Sequence, residues 1–276
     1  MSKRFAAVFG VAKPVIAMVH LPALPGSPLH DADGGLEAII ASAAHDLDAL
    51  QSAGVDAVMF GNENDRPYEL NVDDASTATM AYVIGCLRKQ IKVPFGVNVL
   101  WDPKASIALA AATGAAFVRE IFTGTYASDM GSWTPDAGAA LRYRNHLNRA
   151  DLVMLYNVSA EFAWSLDRRA LADRARSAVF SSLPDAVLVS GQITGEAAAL
   201  SDLEAVKTVL PDMPVLANTG VTHATLPDVL AIADGCVVGS SLKVDGNTWN
   251  AVDAERARDF MAIARQVREA ARADRS

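Results

Sequence analysis

The hydrophobic pattern divides the chain into short apolar segments and longer segments in which apolar residues recur with helical spacing. Strands are predicted at residues 15–19, 55–60, 94–100, 116–122, 152–157, 186–190, 215–217 and 236–238. Helices are predicted at about 36–53, 73–89 (with 74 as the other possible start), 102–114, 167–181, 200–210 and 253–272. A further helix is predicted to end at about 149, and another is predicted to begin at 222. Regular alternation of strand and helix is typical of a parallel sheet covered by helices.

Eight such strand–helix units favour closure into a (β/α)8 TIM barrel, a fold that typically takes ~250 residues. The chain has 276 residues and no Ser-rich or charged linker, so we predict a single barrel domain over residues 1–276. An open, doubly wound sheet is the alternative. In a closed barrel of this kind, the loops at the carboxyl ends of the strands hold the functional residues.

Two glycine turns follow the last two predicted strands. Gly220 and Val221 follow the seventh strand, and Gly239 and Ser240 follow the eighth, with Lys243 shortly after. Backbone N–H groups in paired turns of this kind, together with the positive end of a short helix, bind phosphate. We therefore predict that these five residues form a phosphate site, which lies at this place in many (β/α)8 barrels. Ordinary turn glycines beside a solvated lysine are the alternative.

Composition narrows the class of partner. The net charge of −8 argues against nucleic acid, because phosphate backbones need a basic surface. No apolar stretch reaches the ~18–20 residues needed to cross a bilayer, so no membrane contact is expected. Lys13 and Pro14 interrupt an apolar N-terminal run that superficially resembles a signal peptide. Cys86 and Cys236 lie far apart in apolar surroundings, as in a cytoplasmic protein with reduced thiols.

Polar residues at the predicted strand ends are the candidates for chemistry. The expected catalytic residues are His20, Glu63, Asn98 and Arg119. The expected substrate contacts are Asn157, Gln192, Asn218 and Asp129. An imidazole with the usual pKa near ~6.5 moves protons at neutral pH, and a carboxylate can serve as the base. A hydrogen-bonded histidine without a proton to move, and an ion pair between Glu63 and Arg119, are the alternatives.

The hydrophobic pattern does not decide whether the Arg119 side chain points into the barrel or towards the helices. Side chains alternate along a strand, so Arg119 and Glu120 cannot both point into the barrel. Arg119 shares its face with Phe117 and Ile121.

The sequence lacks the motifs of several enzyme classes. No lysine ends any other predicted strand, which counts against a Schiff-base aldolase, and there is no GxSxG turn, P-loop or GxGxxG motif. Glu63, Asp65 and Asp129 could together bind a divalent cation, but no fixed spacing supports a metal site, and the cofactor is left unassigned. The remaining histidines are interpreted as ordinary surface residues: His30, His45, His146 and His223.

The loop at residues 123–138 is long and contains Tyr126 and Trp133. A loop of this kind can close over a substrate and exclude water. A contact in a homo-oligomer would use the same residues, and both interpretations stay open.

Four segments resemble the BtpA/SgcQ family: MVHLPALPGSP, AGVDAVMFGNENDRPY, PFGVNVLWDPKASIALAAATGAAFVR, and NTGVT followed by ADGCVVGSSLK. The resemblance covers nearly the whole chain and implies a ribulose-phosphate-binding-type barrel. The candidates that fall within the family-like motifs are His20, Glu63, Asn98, Arg119, Asp129, Gly220, Gly239 and Lys243. The family name is associated with photosystem I accumulation, and other members occur in sugar-metabolism contexts.

The chain departs from the family pattern in three places. Family members commonly have a segment with His and Lys after the fifth strand, where this chain has YNVSAEFAW. The common Asp-Gln-Gly is Asp129-Met130-Gly131 here, and Glu120 stands where an apolar residue is usual. The resemblance therefore implies that any chemistry of the usual His or Lys is altered or absent.

The sequence thus predicts an enzyme that acts on a small phosphorylated metabolite, most simply a sugar phosphate. General acid/base chemistry of the isomerase, epimerase or non-Schiff-base lyase type suits the candidates. The alternative is a non-catalytic barrel that binds a ligand or partner in assembly or regulation, with an exposed apolar patch around Trp133 and Trp164.

Overall fold

Eight parallel strands close into a barrel in the computed structural model, which describes residues 3 to 273. The strands are β1 (Val15–His20), β2 (Ala57–Gly61), β3 (Phe95–Asn98), β4 (Phe117–Glu120), β5 (Val153–Asn157), β6 (Ala186–Val189), β7 (Val215–Ala217) and β8 (Cys236–Val238). Each strand pairs with its neighbours along the chain, and β8 closes the barrel against β1. The predicted (β/α)8 fold is confirmed.

Helices surround the barrel. They are α1 (Lys3–Phe9), α2 (Gly35–Ala53), α3 (Asp74–Leu87), α4 (Pro103–Thr113), α5 (Ala137–His146), α6 (Leu171–Ser182), α7 (Leu200–Val209), α8 (Leu226–Ile232) and α9 (Ala254–Ala273). The carboxylates of Asp73, Asp102 and Asp136 accept N–H groups at the starts of α3, α4 and α5. Caps of this kind each stabilise a helix by about 1 kcal/mol. None of the helices within residues 3–273 combines the length and apolar character needed to cross a membrane.

The observed strand ends differ from the predicted ones where apolar residues continue beyond the last paired residue of a strand. Leu100 and Phe122 were predicted to end strands, but both lie buried in the loops beyond β3 and β4. Thr222 was predicted to cap the helix after β7. Its hydroxyl instead accepts the N–H of Thr225, just ahead of α8. The segment after β8 forms two short 3-10 turns before α9.

Helix α1, which was not predicted, closes the amino-terminal end of the barrel. Phe5 and Phe9 are buried, and they pack with Phe117 and with residues at the starts of several barrel strands. Gly96 makes room for this packing, because a Cβ there would lie 2.2 Å from the Phe117 ring. The lower barrel is therefore a packed core.

A three-stranded antiparallel sheet stands over the carboxyl ends of the barrel strands. It joins Tyr126–Ser128 and Gly131–Trp133 from the loop after β4 to Ala163–Ser165 from the loop after β5. Its buried aromatic side chains pack with Trp101. We call these three strands the cap sheet.

The barrel wall separates two faces of β4. Phe117 packs in the barrel interior, and Arg119 follows it on the same face. Val118 packs in the layer between barrel and helices, and Glu120 shares that outer face. The question left open by the sequence is settled: Arg119 points inward.

Candidate active site

A cavity of about 360 Å³ opens at the carboxyl ends of the barrel strands. His20, Glu63 and Arg119 line the part that we call the inner end, and the glycine turns after β7 and β8 line the part that we call the outer end. Its size suits a small metabolite, since ligand pockets begin at about 300 Å³.

His20 and Glu63 form a buried pair at the inner end. His20 Nε2 lies 3.6 Å from Glu63 Oε1, and both side chains are almost fully buried. Gly61 leaves space for the carboxylate, because a Cβ there would lie 2.5 Å from Glu63 Oε2. Within residues 3–273, Glu63 Oε2 and His20 Nδ1 have no hydrogen-bond partner. Buried polar atoms are rarely left unpaired, and Glu63 lines the cavity, so its second carboxylate oxygen is available to a bound molecule.

Burial shifts the two pKa values in opposite senses. Burial raises the pKa of Glu63 to about 7 by penalising its charged form. Burial, and then the charges of Lys243 and Arg119, hold the pKa of His20 well below its usual value. The sequence-based expectation of a histidine that titrates near ~6.5 is therefore wrong in this environment. Near neutral pH the imidazole is uncharged, and Glu63 is the group that gains and loses a proton.

Two asparagines position Arg119. Its Nη1 donates to Asn218 Oδ1 at 3.0 Å, and its Nη2 donates to Asn98 Oδ1. The amide of Asn98 in turn donates to Glu120 Oε1. Arg119 Nε has no partner among the described residues, and the guanidinium stands over the Trp101 ring. The arrangement presents a fixed positive charge to the cavity, with Asn98 behind it.

Glu161, which the sequence reasoning missed, also lines the cavity. Its Oε1 accepts from Asn218 Nδ2 at 3.2 Å, and its Oε2 accepts from Thr194 Oγ1 at 3.0 Å. Burial raises its pKa. The available signal was a lone acidic residue in the YNVSAEFAW segment after β5, noted only as a departure from the family pattern.

The glycine turns come together at the outer end of the cavity. Gly220, Val221, Gly239 and Ser240 all line it. Gly220 has φ of +63°, and a Cβ there would lie 2.1 Å from the backbone nitrogen of Ala197, so only glycine fits.

Two further residues at this end were not foreseen. His223 was interpreted as an ordinary surface histidine, but it lines the cavity, with Nδ1 3.2 Å from Ser241 Oγ and Nε2 2.8 Å from the carbonyl oxygen of Arg256. Arg256 reaches the cavity from α9, and its Nε donates to the carbonyl oxygen of Ser241. Neither forms an ion pair with an acidic residue of the described chain.

Lys243 points away from this end. Its Nζ lies 3.4 Å from Asp46 Oδ2 and donates to the carbonyl oxygen of Asn250 at 2.8 Å, and its side chain is 3% exposed. Asp46 Oδ1 accepts the N–H of Val252. The lysine thus ties the segment after β8 to α2, and the cationic side chains that line the cavity are those of Arg119 and Arg256.

The other predicted contacts lie outside the cavity lining. Asn157 is buried beneath it and donates to Ser190 Oγ, while its Oδ1 has no partner in the described chain. Gln192 and Asp129 are exposed, and the backbones of both bond to Phe162. Their side chains therefore need a rearrangement before they reach a ligand in the cavity.

The three carboxylates considered for a cation do not converge. Asp65 accepts the N–H of Leu24, and Asp129 is exposed on the cap sheet. Within residues 3–273, no group of three or more His, Cys, Asp or Glu side chains is placed to hold a metal ion.

Solved structures share the barrel. (S)-3-O-geranylgeranylglyceryl phosphate synthase from Thermoplasma acidophilum is 15% identical with a TM-score of 0.58, and the match covers 96% of this chain and 99% of that one. N-(5'-phosphoribosyl)anthranilate isomerase from Pyrococcus furiosus is 11% identical with a TM-score of 0.56, covering 92% and 99%. At these identities the likeness establishes the fold.

Sequence relatives are much nearer. The sgc region protein SgcQ of Escherichia coli (strain K12) is 47% identical over 261 residues, which span 95% of this chain and 97% of that protein. The photosystem I biogenesis protein BtpA of Synechocystis sp. is 32% identical over 256 residues, spanning 92% and 88%. Residues 11–266 match the BtpA family as a whole. The chain therefore belongs to the BtpA family.

Proposed function

We propose that this protein is an enzyme that acts on a small phosphorylated metabolite, a sugar phosphate, by general acid/base chemistry at the mouth of the barrel. The observation that supports this most directly is the make-up of one cavity. A buried acid/base pair, His20 and Glu63, stands beside the Arg119 guanidinium at one end, and glycine turns with Arg256 form the other.

The inner end suits proton abstraction next to a carbonyl group. Glu63, with a pKa of about 7, is ionised in a useful fraction of molecules at neutral pH and can take a proton. Loss of that proton makes an enediolate, whose negative oxygen needs hydrogen-bond donors. Arg119 and the neutral imidazole of His20 would supply them in a site from which much water is excluded.

The outer end suits a phosphate group. Gly220 and Gly239 allow the backbone to approach an anion closely, and Ser240 offers a hydroxyl. Arg256 adds a positive charge, and a guanidinium forms strong, directional hydrogen bonds to phosphate. The N–H groups of the two turns would complete the contacts.

The reaction class is an isomerase, epimerase or lyase that needs no Schiff base. An isomerase or an epimerase begins with this proton abstraction, and a lyase reaches the same enediolate by breaking a C–C bond. Names of the fold neighbours are in keeping with phosphorylated substrates, since one is a phosphoribosylanthranilate isomerase and another was solved with sn-glycerol-1-phosphate. At their low identity they support the ligand class by analogy only.

A thermal-shift screen tests the proposal. Purified protein is heated with inorganic phosphate, a panel of ketose phosphates and the matching free ketoses, each with and without Mg²⁺ or Mn²⁺. A ligand at about 100 times its dissociation constant should stabilise the fold by roughly 2.7 kcal/mol. A rise in melting temperature with a sugar phosphate but not with its free sugar is expected. No shift with any phosphate compound would contradict the phosphate site.

The alternative is a non-catalytic barrel with a role in assembly, and one surface feature favours it. Trp164 on the cap sheet is 73% exposed, beside the exposed Leu166. Trp133, expected in the same patch, is buried at 3% exposure under the cap sheet. The name of the Synechocystis relative is in keeping with such a role. A protein that binds no sugar phosphate and converts none would favour this alternative.

A further inference from the structure

Two buried carboxyl groups, not one, line the cavity. Glu63 follows β2, and Glu161 follows β5. In the barrel, β3 and β4 lie between these two strands, so the two glutamates reach the cavity from different parts of the rim. They are near enough that the charge of Glu161 raises the pKa of Glu63, and a ligand in the cavity can face both carboxyl groups.

Arg119 lies near both carboxyl groups. It extends from β4, and its charge lowers the pKa values of both Glu63 and Glu161 against the larger effect of burial. Its Nη1 donates to Asn218 Oδ1, while Asn218 Nδ2 donates to Glu161 Oε1. The guanidinium is thus placed to stabilise a negative oxygen on a molecule held between the two glutamates.

The backbone around Glu161 is held in an unusual conformation. Phe162, the next residue, has φ of +57°, a left-handed value that is rare for a bulky side chain. Its N–H donates to the carbonyl oxygen of Gln192 at 2.8 Å, and its carbonyl oxygen accepts from the N–H of Asp129 at 3.1 Å. Strain of this kind clusters at functional sites, because the surrounding structure must enforce it. Here it lies directly beside Glu161, whose side chain lines the cavity.

Resting on the proposed function, we propose that Glu161 is a second acid/base residue, so that the enzyme inverts a carbon next to a carbonyl group. One base is sufficient for transfer of a proton between neighbouring carbons on one face. Two groups on opposite sides of one carbon allow removal from one face and delivery to the other. The substrate class is then a small ketose phosphate, and the product is its epimer.

The step balances without a redox partner. The Glu63 carboxylate takes the proton, the C–H bond breaks, and its electron pair forms the C=C bond of an enediolate as the carbonyl electrons move to oxygen. Glu161 in its acid form then delivers a proton to the opposite face of the same carbon, and the carbonyl re-forms. Glu63 ends protonated and Glu161 ionised. Exchange with solvent, or the reverse reaction, restores the starting state.

Proton exchange in deuterium oxide tests the assignment. The probes are ribulose, xylulose, fructose and tagatose phosphates, followed by NMR for epimer formation and for deuterium at the carbon beside the carbonyl. In E161Q, epimer formation should fall by about two to four orders of magnitude. Exchange of the proton that Glu63 removes should persist. E63Q should lose both the exchange and the conversion of the same epimer. The exposed E196Q is the matched control and should retain the wild-type rate.

Each outcome has a distinct meaning. Persistent exchange in E161Q without epimer formation supports two bases. A wild-type protein that converts a probe while E161Q keeps its rate, or loses exchange and conversion equally, overturns this inference alone. A wild-type protein that neither exchanges nor converts any probe overturns the proposed function and this inference with it. Should E161Q fail to fold by circular dichroism, E161D is used; it retains a carboxyl group, moved back by one methylene, and should show the same uncoupling in weaker form.

Discussion

Gly239 and His20 lie in contact at the junction between the two ends of the cavity. A Cβ at position 239 would stand 2.9 Å from His20 Cε1 and 3.0 Å from Nε2, closer than real side chains approach. The turn after β8 and the imidazole at the end of β1 are neighbours because β8 closes the barrel against β1. A single glycine therefore sets the spacing between the proposed phosphate contact and the proposed acid/base pair.

The variant G239A should lower turnover without unfolding the protein. The added methyl group would displace His20 or the turn by a few tenths of an ångström or more, and misplacement near 1 Å can cost about 10²-fold in rate. We expect kcat to fall by up to this factor while the melting temperature changes little. Kinetics with a ketose phosphate, beside G85A on the outer helix α3, would measure it. Equal kcat values in both variants would refute the close spacing.

The pH dependence of turnover should follow Glu63. Its pKa is about 7, and the base must be ionised, so kcat/KM should rise as the pH increases through about 7. Burial lowers the pKa of His20, so the imidazole is not expected to add a rising limb above neutrality. E63Q should lower turnover by about two to four orders of magnitude and remove the limb. A limb that persists in E63Q would assign it to another group.

Arg256 should determine preference for the phosphorylated ligand. A hydrogen bond to a charged group is worth about 1.5–3 kcal/mol, so R256Q should weaken binding of a sugar phosphate by about 10- to 100-fold. Binding of the free sugar should not change. Calorimetric titration of both ligands would show this, with R258Q, an exposed site on the same helix, as the control. Equal losses for both ligands would exclude a phosphate contact.

The free energy of unfolding should fall as the pH rises through the pKa of Glu120. Burial raises its pKa from 4.5 to about 8, so the folded state holds the proton more tightly than the unfolded chain does. The resulting stabilisation is complete below about 4.5 and is lost as the pH rises through about 8. E120Q keeps an amide oxygen for Asn98 and should be more stable than wild type at pH ~9, by an amount on the order of a few kcal/mol. Melting curves from pH ~5 to ~9 for both proteins would test this, and parallel curves would contradict it.

The sequence sufficed for the barrel because each strand is a short apolar run between longer amphipathic segments. It did not reveal helix α1, whose Phe5 and Phe9 belong to an apolar run with no partner visible in the sequence. Nor did it reveal the cap sheet, since strands of three residues are too short to show alternation, and Trp164 pairs with Ala127 across a long separation. These features depend on tertiary contacts.

Some residues of the candidate site were likewise identified from the sequence, and others were not. His20, Glu63 and Arg119 were identified because they lie at or just past the ends of barrel strands, where the fold limits both position and direction. Glu161 and Arg256 come from a loop and from the last helix, and only the folded chain brings them to the cavity.

Lys243 was predicted to contact phosphate, but its side chain points elsewhere. A charged residue just after a strand can turn inward or sideways, and local sequence does not say which. A buried partner on another helix, Asp46, decided its direction.

The packing of Phe5 and Phe9 at the amino-terminal end of the barrel has a practical consequence for measurement. Arg4, beside those side chains, pairs with Asp185 just ahead of β6, so helix α1 begins on the face opposite the cavity. An affinity handle or surface tether joined ahead of Lys3 would hold the molecule with its entrance facing the bulk solution. Immobilised protein prepared in this way should bind ligands as the free protein does.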